Sequence, residues 1–285
     1  MHIIADSGGT SISWALVARE TGRTEVIQTP GYNAVTSADG LLADIIAASR
    51  LSQASGVESV EFYGAGCGTA EACGRVERQL KARFGAGVDV SVGSDMLGAA
   101  RALLGSQPGV ACILGTGSNS CLYDGRSIVA NVPPLGFILG DEGSGAVLGR
   151  TLLGAVFKRT LAPDLIEAFE EEYPGLGMAE VIENVYRRPG PNTWLASFAP
   201  FLCRHADHPE AERMAIDEFR RFFRRNVAMY RLDGLNREVG FVGSVAVHFR
   251  PQLEKAARAE GFAISRVMAG PLDGLTDRYL SGRPD

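Results

Sequence analysis

Two glycine-rich turns carry residue types that suit phosphate binding, one near the N-terminus and one near the middle of the chain. The first is Asp6-Ser7-Gly8-Gly9-Thr10 and the second is Gly115-Thr116-Gly117-Ser118. Each turn joins two apolar runs, which predicts a β-hairpin in both places. Glycine tolerates positive φ angles and lets a bulky anion approach the backbone N–H groups closely. Two such turns facing each other would hold a polyphosphate, so the pair indicates a nucleotide site.

Asp6 gives the first turn an acidic residue that the second turn lacks, because Leu114 or Gly115 stands at the matching position. Mg²⁺ prefers oxygen ligands and keeps several water molecules, so a single carboxylate can hold it through water. We therefore expect Asp6 to hold the metal and the second turn to contact phosphate alone. The alternative is that Asp6 only fixes the hairpin as an Asx-type turn residue.

Asp95 is the candidate general base. It follows the short predicted strand 88–92 and opens an Ala- and Leu-rich stretch that predicts a helix. A carboxylate at this point can orient an attacking hydroxyl group and accept its proton. The alternative is an ordinary helix N-cap, for which Asp is among the best residues.

The elements that must position these residues alternate between strands and helices. Strands are predicted at 2–6, 11–18, 26–29, 57–63, 88–92, 110–115, 119–123, 127–132, 239–242 and 264–268. Helices are predicted at 40–54, 70–84, 96–104, 146–159, 210–230 and 272–280, with further helices between 164 and 233. Both halves follow the order of hairpin, further strand and helices, so a duplication is plausible.

The segment Gly105-Ser106-Gln107-Pro108-Gly109 carries the clearest linker signal in the chain. It predicts one domain over 1–107 and a second over 108–270. The terminal helical segment, about 271–285, is expected to join the first domain.

Composition narrows the function classes. The chain has 285 residues, which is enough for two domains, and its net charge of −5 argues against a nucleic-acid partner. No apolar stretch reaches the roughly 18 residues of a membrane helix, and no signal-peptide pattern opens the sequence. The five cysteines include no CxxC pair, which favours reduced thiols. We therefore expect a cytoplasmic protein with neither nucleic acid nor membrane as a partner.

Several motifs together resemble the superfamily of sugar kinases, actin and heat-shock chaperone ATPases. The first turn resembles its first phosphate loop, Gly115–Ser118 its second phosphate loop, and Gly243-Ser244 its adenosine loop. With the stretch 136–144, the chain is similar to the N-acetylglucosamine kinase group, which shares a sequence family with ATPases that activate benzoyl-CoA reductase and hydroxyacyl-CoA dehydratases. The resemblance runs from residue 3 to about 275. It implies an α/β fold of two actin-like (ribonuclease H-like) lobes with an ATP cleft between them.

The resemblance also implies the reaction and the residues that carry it. The chain would be a kinase that uses ATP and Mg²⁺ to phosphorylate an amino sugar, N-acetylglucosamine at its 6-hydroxyl, with Asp95 as base. The residues implied for ATP are Asp6, which also holds the metal, Gly8, Gly9, Thr10, Gly115, Thr116, Gly117, Ser118, Gly243 and Ser244. Those implied for the sugar are Asn33, Asp95, Leu135, Gly136 and Asp141. The alternatives are a turn role for Asn33 and a helix-capping role for Asp141.

Two other functions stay open at this point. One is an activator ATPase that drives an iron–sulfur partner, although Cys67 and Cys73 form no convincing ligand set. Another is a kinase for glucosamine or N-acetylmuramate. A sugar-sensing regulator would add a DNA-binding module, and the chain begins directly with the first phosphate strand. The partners expected are a small-molecule sugar and ATP, and the resemblance also allows a homodimer.

Overall fold

The computed structural model describes residues 1–282, which fall into two compact units. The first unit contains Met1–Gln107, Asp124–Ile128 and the C-terminal segment from Gly270. The second unit contains Pro108–Tyr123 and Val129–Ala269. Residues 283–285, the end of the predicted terminal segment 271–285, lie outside the described residues.

Each unit is built on a five-stranded sheet. The strands are β1 His2–Ser7, β2 Ser11–Ala18, β3 Arg23–Pro30, β4 Ser59–Gly64, β5 Asp89–Ser94, β6 Gly109–Leu114, β7 Ser118–Tyr123, β8 Ile128–Ala130, β9 Glu238–Val242 and β10 Ala263–Met268. The sheet orders are β3-β2-β1-β4-β5 and β8-β7-β6-β9-β10. In both sheets the first two strands form an antiparallel hairpin and the first pairs in parallel with the fourth. The two units therefore repeat one topology, and both predicted hairpins are confirmed.

Helices pack around these sheets. In chain order they are α1 Leu41–Ala47, α2 Ala70–Phe84, α3 Asp95–Leu104, α4 Gly136–Leu139, α5 Gly145–Phe157, α6 Pro163–Glu172, α7 Met178–Tyr186, α8 Pro191–Ala196, α9 Ala199–Arg204, α10 Pro209–Arg225, α11 Ser244–His248, α12 Arg250–Ala259 and α13 Leu272–Leu280. Two 3₁₀ turns, Arg50–Gln53 and Val227–Met229, complete the helical segments. Among residues 1–282, no helix combines the length and the apolar character that crossing a bilayer requires.

Burial explains why the central strands form where they do. Ile3, Ile4 and Ala5 on β1 are fully buried, and this strand lies mid-sheet with a paired strand on each side. A strand covered on both faces reads as a continuous apolar run, and β1 is such a run. In the second unit, Phe219, Phe222 and Phe223 of α10 form much of the core. Asp6, described below, therefore emerges from a well-packed strand.

Two predicted helices are shorter in the structure. The helix predicted over 40–54 ends at Ala47, and Ser49 caps a separate 3₁₀ turn with its hydroxyl group. The helix predicted over 210–230 ends at Arg225, where Asn226 leaves the helical path before the second 3₁₀ turn. In both cases the apolar spacing continues past the helix end, so the spacing alone does not mark the break.

Candidate active site

The first glycine turn is closed by its own backbone. The Gly8 N–H donates to the Ser11 carbonyl at 2.9 Å, and the Gly31 N–H donates to the Thr10 carbonyl at 3.1 Å. Residues 8–10 are exposed, and among residues 1–282 no acceptor contacts the N–H groups of Gly9 or Thr10. These two amides, rather than that of Gly8, are the donors that the turn can offer to an anion. Ser7 is fully buried and its hydroxyl group donates to the Tyr32 carbonyl, so its side chain turns away from the exposed turn.

Gly31 brings a second backbone segment against this turn. A Cβ atom at this position would lie 2.4 Å from the Gly9 carbonyl oxygen and 2.6 Å from the Thr10 carbonyl carbon. No side chain fits in that space, so glycine is required by close packing of two backbones. The end of β3 therefore holds the shape of the turn.

Asp6 belongs to β1 and lies half-buried just before the turn. Burial raises the pKa of its carboxyl group to about 6, and the nearby charge of Asp95 adds to the rise. Within the described chain, no hydrogen bond from the turn reaches the Asp6 side chain, so an Asx-turn role finds no support there. A desolvated carboxylate beside a second carboxylate favours a proton or a cation.

Asp95 is the first residue of α3, and it is not the residue that caps the helix. Ser94 is the cap, because its hydroxyl oxygen accepts from the Leu97 N–H at 3.2 Å. The Oδ1 atom of Asp95 accepts from the Met96 N–H at 2.8 Å. Burial raises the pKa of Asp95, and its hydrogen bonds with backbone amides offset part of that rise. The carboxylate is thereby oriented at the helix start without being used as the cap.

The sheet itself brings these two carboxylates together. Ser7 of β1 pairs with Gly64 of β4, and Gly64 pairs with Ser94 of β5. These strands are parallel, so their carboxyl ends meet at one edge of the sheet. Asp6 and Asp95 are each one residue away from this row of paired residues. The first unit thus assembles both predicted acidic groups at a single edge.

Asn33 forms an Asx turn. Its Oδ1 atom accepts from the N–H groups of Val35 at 2.9 Å and Thr36 at 3.2 Å, and it lies against the Cα of Gly66. The structure therefore places Asn33 in the turn role that the sequence left open. The amide oxygen is occupied, which leaves the side-chain NH₂ group to contact a ligand as a donor.

The second glycine turn is held by the start of α5. The N–H groups of Gly145 and Ala146 donate to the carbonyls of Gly115 and Thr116 at 2.8 and 3.1 Å. Gly243 packs on the strand before the turn, where a Cβ atom would lie 2.1 Å from the Leu114 carbonyl oxygen. The turn is therefore fixed from two sides, while Thr116 stays exposed.

A cavity of about 350 Å³ opens beside this turn. Its lining residues are Gly115, Thr116, Gly145, Ala196, Ala199, Pro200, Cys203, Arg204, Ser244, Val245, His248 and Phe249. The sequence predicts two loops of this cavity, the second glycine turn and Gly243-Ser244, but it does not predict α9, which supplies Ala199, Cys203 and Arg204. Nothing in the α9 sequence marks it as a site element, since its role depends on packing beside α11.

Asp141 contacts the second glycine turn. Its Oδ1 atom accepts from the Ser118 N–H at 3.3 Å, and its carboxylate lies against the Cα of Gly117. Burial is the main cause that raises the pKa of Asp141. Its backbone has a φ of 50°, and the helix-capping role belongs to Ser144, whose hydroxyl accepts from the Val147 N–H. Asp141 is therefore a loop residue whose side chain reaches the phosphate-loop candidate.

Leu135 and Gly136 precede Asp141 in the same loop. Both have positive φ angles, 61° and 72°, and the Leu135 side chain is 62% exposed. Leu135 is the N-cap of the short helix α4 and Gly136 is its first residue.

Comparison with known structures relates this chain to sugar kinases. A crystal structure of a candidate N-acetylglucosamine kinase from Porphyromonas gingivalis is 40% identical, covers 100% of both chains and has a TM-score of 0.91. A second candidate N-acetylglucosamine kinase, from Chromobacterium violaceum, is 22% identical over 97% of this chain and 98% of that chain, with a TM-score of 0.73. No protein-family model and no curated protein matches the chain.

A more distant structure supports the fold. It is a ROK family glucokinase from Streptomyces griseus in complex with glucose and AMPPNP, 16% identical over 97% of each chain, with a TM-score of 0.54. The Chromobacterium violaceum and Streptomyces griseus structures are 22% and 16% identical to this chain, so they bear on the fold alone. Together with the paired sheets, these likenesses confirm the predicted α/β fold of two lobes.

Proposed function

Because this chain belongs to the family of N-acetylglucosamine kinase-like sugar kinases, we propose that it phosphorylates the 6-hydroxyl group of N-acetylglucosamine. It is an ATP-dependent sugar kinase with two actin-like lobes. The observation that carries the proposal is the pair of desolvated carboxylates, Asp6 and Asp95, at one edge of the first sheet. One carboxylate would serve the metal and the other the attacking hydroxyl group.

The residues of the first unit fit Mg²⁺ as a cofactor. Asp6 is a buried carboxylate whose pKa is raised to about 6, so a nearby cation would lower the cost of its charge. Within residues 1–282 no group of three or more His, Cys, Asp or Glu side chains could hold a metal alone. This suits an ion bound by one carboxylate, water and phosphate oxygens. When bound, Mg²⁺ would neutralise charge that develops on the transferred phosphoryl group.

The protein groups would then position the reactants. In the first unit, the amides of Gly9 and Thr10 would bind phosphate oxygens. In the second unit, the Thr116 hydroxyl and the Gly117 amide are suited to do the same. Asp95 would accept a hydrogen bond from the sugar hydroxyl and take its proton as the phosphoryl group transfers. Gly243 and Ser244 would shape the adenosine end of the cavity in the second unit.

Sugar selection would depend on groups of opposite hydrogen-bonding character. Asn33 would donate through its side-chain NH₂ group, because its oxygen is held in the Asx turn. Asp141 would accept from a sugar hydroxyl with the carboxylate oxygen that the Ser118 amide does not occupy. Leu135 and Gly136 would contribute backbone groups. A site that reads hydroxyl groups in this way can reject analogues that lack them.

An ADP-release assay tests the proposal directly. It compares N-acetylglucosamine, glucosamine, N-acetylmuramate and glucose with a control that lacks sugar. We expect N-acetylglucosamine to give the highest kcat/KM, and phosphate transfer to its 6-hydroxyl to be visible in the ³¹P–¹H spectrum of the product. Equal ADP release with and without sugar would instead favour an activator ATPase, and a higher kcat/KM on another amino sugar would reassign the substrate.

We also propose that the protein is a homodimer. Ile138, Met178 and Tyr186 line one apolar groove of the second unit, and Tyr186 is 79% exposed. An exposed apolar patch rimmed by polar residues is typical of a protein contact surface. Light scattering at micromolar concentration would give twice the chain mass for the wild type, and a mass of one chain would reject the dimer.

A further inference from the structure

Glu142 follows Asp141 directly in the chain. The Asp141 side chain contacts the second glycine turn, whereas the Glu142 side chain points into the core of the second unit. It is 8% exposed, and the two residues that hold it lie at the C-terminal end of α10. Its Oε2 atom accepts from the Asn226 side-chain NH₂ at 3.2 Å, and its Oε1 atom lies 2.9 Å from Nη1 of Arg225. Both carboxylate oxygens are therefore paired, as a buried charge requires.

The backbone explains why two adjacent carboxylates face different surroundings. Asp141 has a φ of 50°, and its N–H donates to the Pro134 carbonyl at 2.9 Å. The Ser144 N–H donates to the Asp141 carbonyl at 3.0 Å. A left-handed conformation at a residue other than glycine is costly and persists only when its surroundings hold it. The paired carboxylate of Glu142 anchors the residue directly after that position.

We propose that Glu142 is a positioning residue, and that its hydrogen bond with Asn226 sets where the Asp141 carboxylate points and hence how well the sugar binds. The inference rests on the proposed role of Asp141 in sugar binding. Asn226 is only 4% exposed, and its own N–H donates to the Phe222 carbonyl, so the anchor is fixed to the end of α10. A shift of this anchor would move Asp141 relative to Gly117 and Ser118.

A donor–acceptor exchange tests the proposal. In Asn226→Asp two carboxylates face each other, and we expect the KM for N-acetylglucosamine to rise at least tenfold. The double variant Glu142→Gln with Asn226→Asp restores one donor and one acceptor in reversed order, and its KM should return to within threefold of the wild type. The KM for ATP should change less than the KM for the sugar. The matched control is Glu260→Gln, which removes ion pairs with Arg220 and Arg224 on the same helix and should leave both KM values unchanged.

The readout separates positioning from a purely structural role. A structural role would lower Tm and the active fraction, while KM, which does not depend on enzyme concentration, would stay the same. An unchanged sugar KM in Asn226→Asp, or a failure of the double variant to recover, would overturn the proposal. If Asn226→Asp does not fold, Glu142→Gln and Glu142→Ala replace it. We then expect up to threefold and at least tenfold higher sugar KM, and equal values would overturn the inference.

Failure of the underlying function is distinguishable from failure of this inference. If wild-type protein releases no ADP in response to any sugar, the kinase proposal itself falls. If the wild type is active and Asp141→Asn raises the sugar KM while the Glu142 and Asn226 variants do not, only the positioning role of Glu142 is rejected.

Discussion

Asp6 and Asp95 are electrostatic neighbours at one edge of the first sheet. Burial raises the pKa of Asp6 to about 6, and the charge of Asp95 adds to that rise. The two carboxylates lie on different strand ends, and the parallel register of β1, β4 and β5 brings them together. In the absence of a cation, the proximity of the two carboxylates destabilises the folded state at neutral pH. The loss of stability can be measured by unfolding.

Asp6→Asn is expected to stabilise the ligand-free protein at neutral pH. A carboxyl group whose pKa rises from 3.8 to about 6 on folding favours the folded state below pH 3.8 and loses that contribution as the pH rises through 6. The difference corresponds to at most ~3 kcal/mol. Urea unfolding at pH 5 and pH 7.5 checks this, since the wild type should lose stability between these values more steeply than the variant. Parallel pH dependences in the two proteins would contradict it.

The same carboxylate predicts an acidic limit for activity. In the proposed mechanism Mg²⁺ competes with a proton on Asp6, so kcat/KM for Mg·ATP should fall as the pH drops below about 6. Raising the Mg²⁺ concentration should shift the limit to lower pH, because the cation and the proton compete for one group. Initial rates between pH 5 and pH 8 at two Mg²⁺ concentrations measure it. An acidic limit that ignores Mg²⁺ would assign the titration to another residue.

Asp95→Asn should reduce kcat by about 10²–10⁴-fold while ATP binding persists, because the amide cannot accept the proton of the hydroxyl group. Ser94→Ala is the matched control. It removes the actual cap of α3, which costs ~1 kcal/mol of stability, and it leaves the Asp95 carboxylate, the proposed base, in place. Single-turnover rates and nucleotide titration of both variants distinguish the roles. An equal loss of kcat in the two variants would mean that the helix start, and not the Asp95 carboxylate, determines the rate.

Much of the fold was predictable from local sequence, and the predictions fail where contacts are distant. β2 at Ser11–Ala18, α2 at Ala70–Phe84 and α13 at Leu272–Leu280 have the predicted bounds, because alternation or helical spacing is strong there. β3 begins three residues earlier than predicted, at Arg23. Its first residues are polar and face solvent on an edge strand, so they carry no apolar signal.

The site residues divide in the same way, into features that the local sequence predicts and features that depend on contacts between distant segments. The glycine turns and the acidic residues were found from residue type and order, and the resemblance supplied their roles. The sequence did not predict that Ser94 rather than Asp95 caps α3, since both residues are good caps. It also gave no sign that Asp141 reaches Ser118 or that α9 lines the cavity, because these contacts join segments far apart in the chain.

Gly98→Ala should destabilise the first unit. A Cβ atom on Gly98 would lie 2.8 Å from both Cβ and Cγ of Tyr63, and overpacking of this kind costs ~1–3 kcal/mol. Because Gly98 lies one turn after Asp95 on α3, kcat should also fall. Gly154→Ala on α5 is the opposite case, with nothing within 4 Å, and should stabilise by about 0.5–1 kcal/mol. Thermal unfolding of both variants checks the two signs, and a stabilised Gly98→Ala would show that α3 can move freely.

The proposed sugar contact of Asn33 has a hydrogen-bonding polarity, set by its Asx turn, that fluorinated sugars can test. Fluorine can receive a hydrogen bond but cannot supply one, and the side-chain NH₂ of Asn33 only supplies one. A sugar whose hydroxyl facing Asn33 is replaced by fluorine should therefore still compete with the natural acceptor, whereas replacement of a hydroxyl facing Asp141 should abolish competition. A panel of deoxyfluoro sugars would thus show which hydroxyl of the bound sugar faces Asn33 and which faces Asp141, and hence how the sugar is oriented.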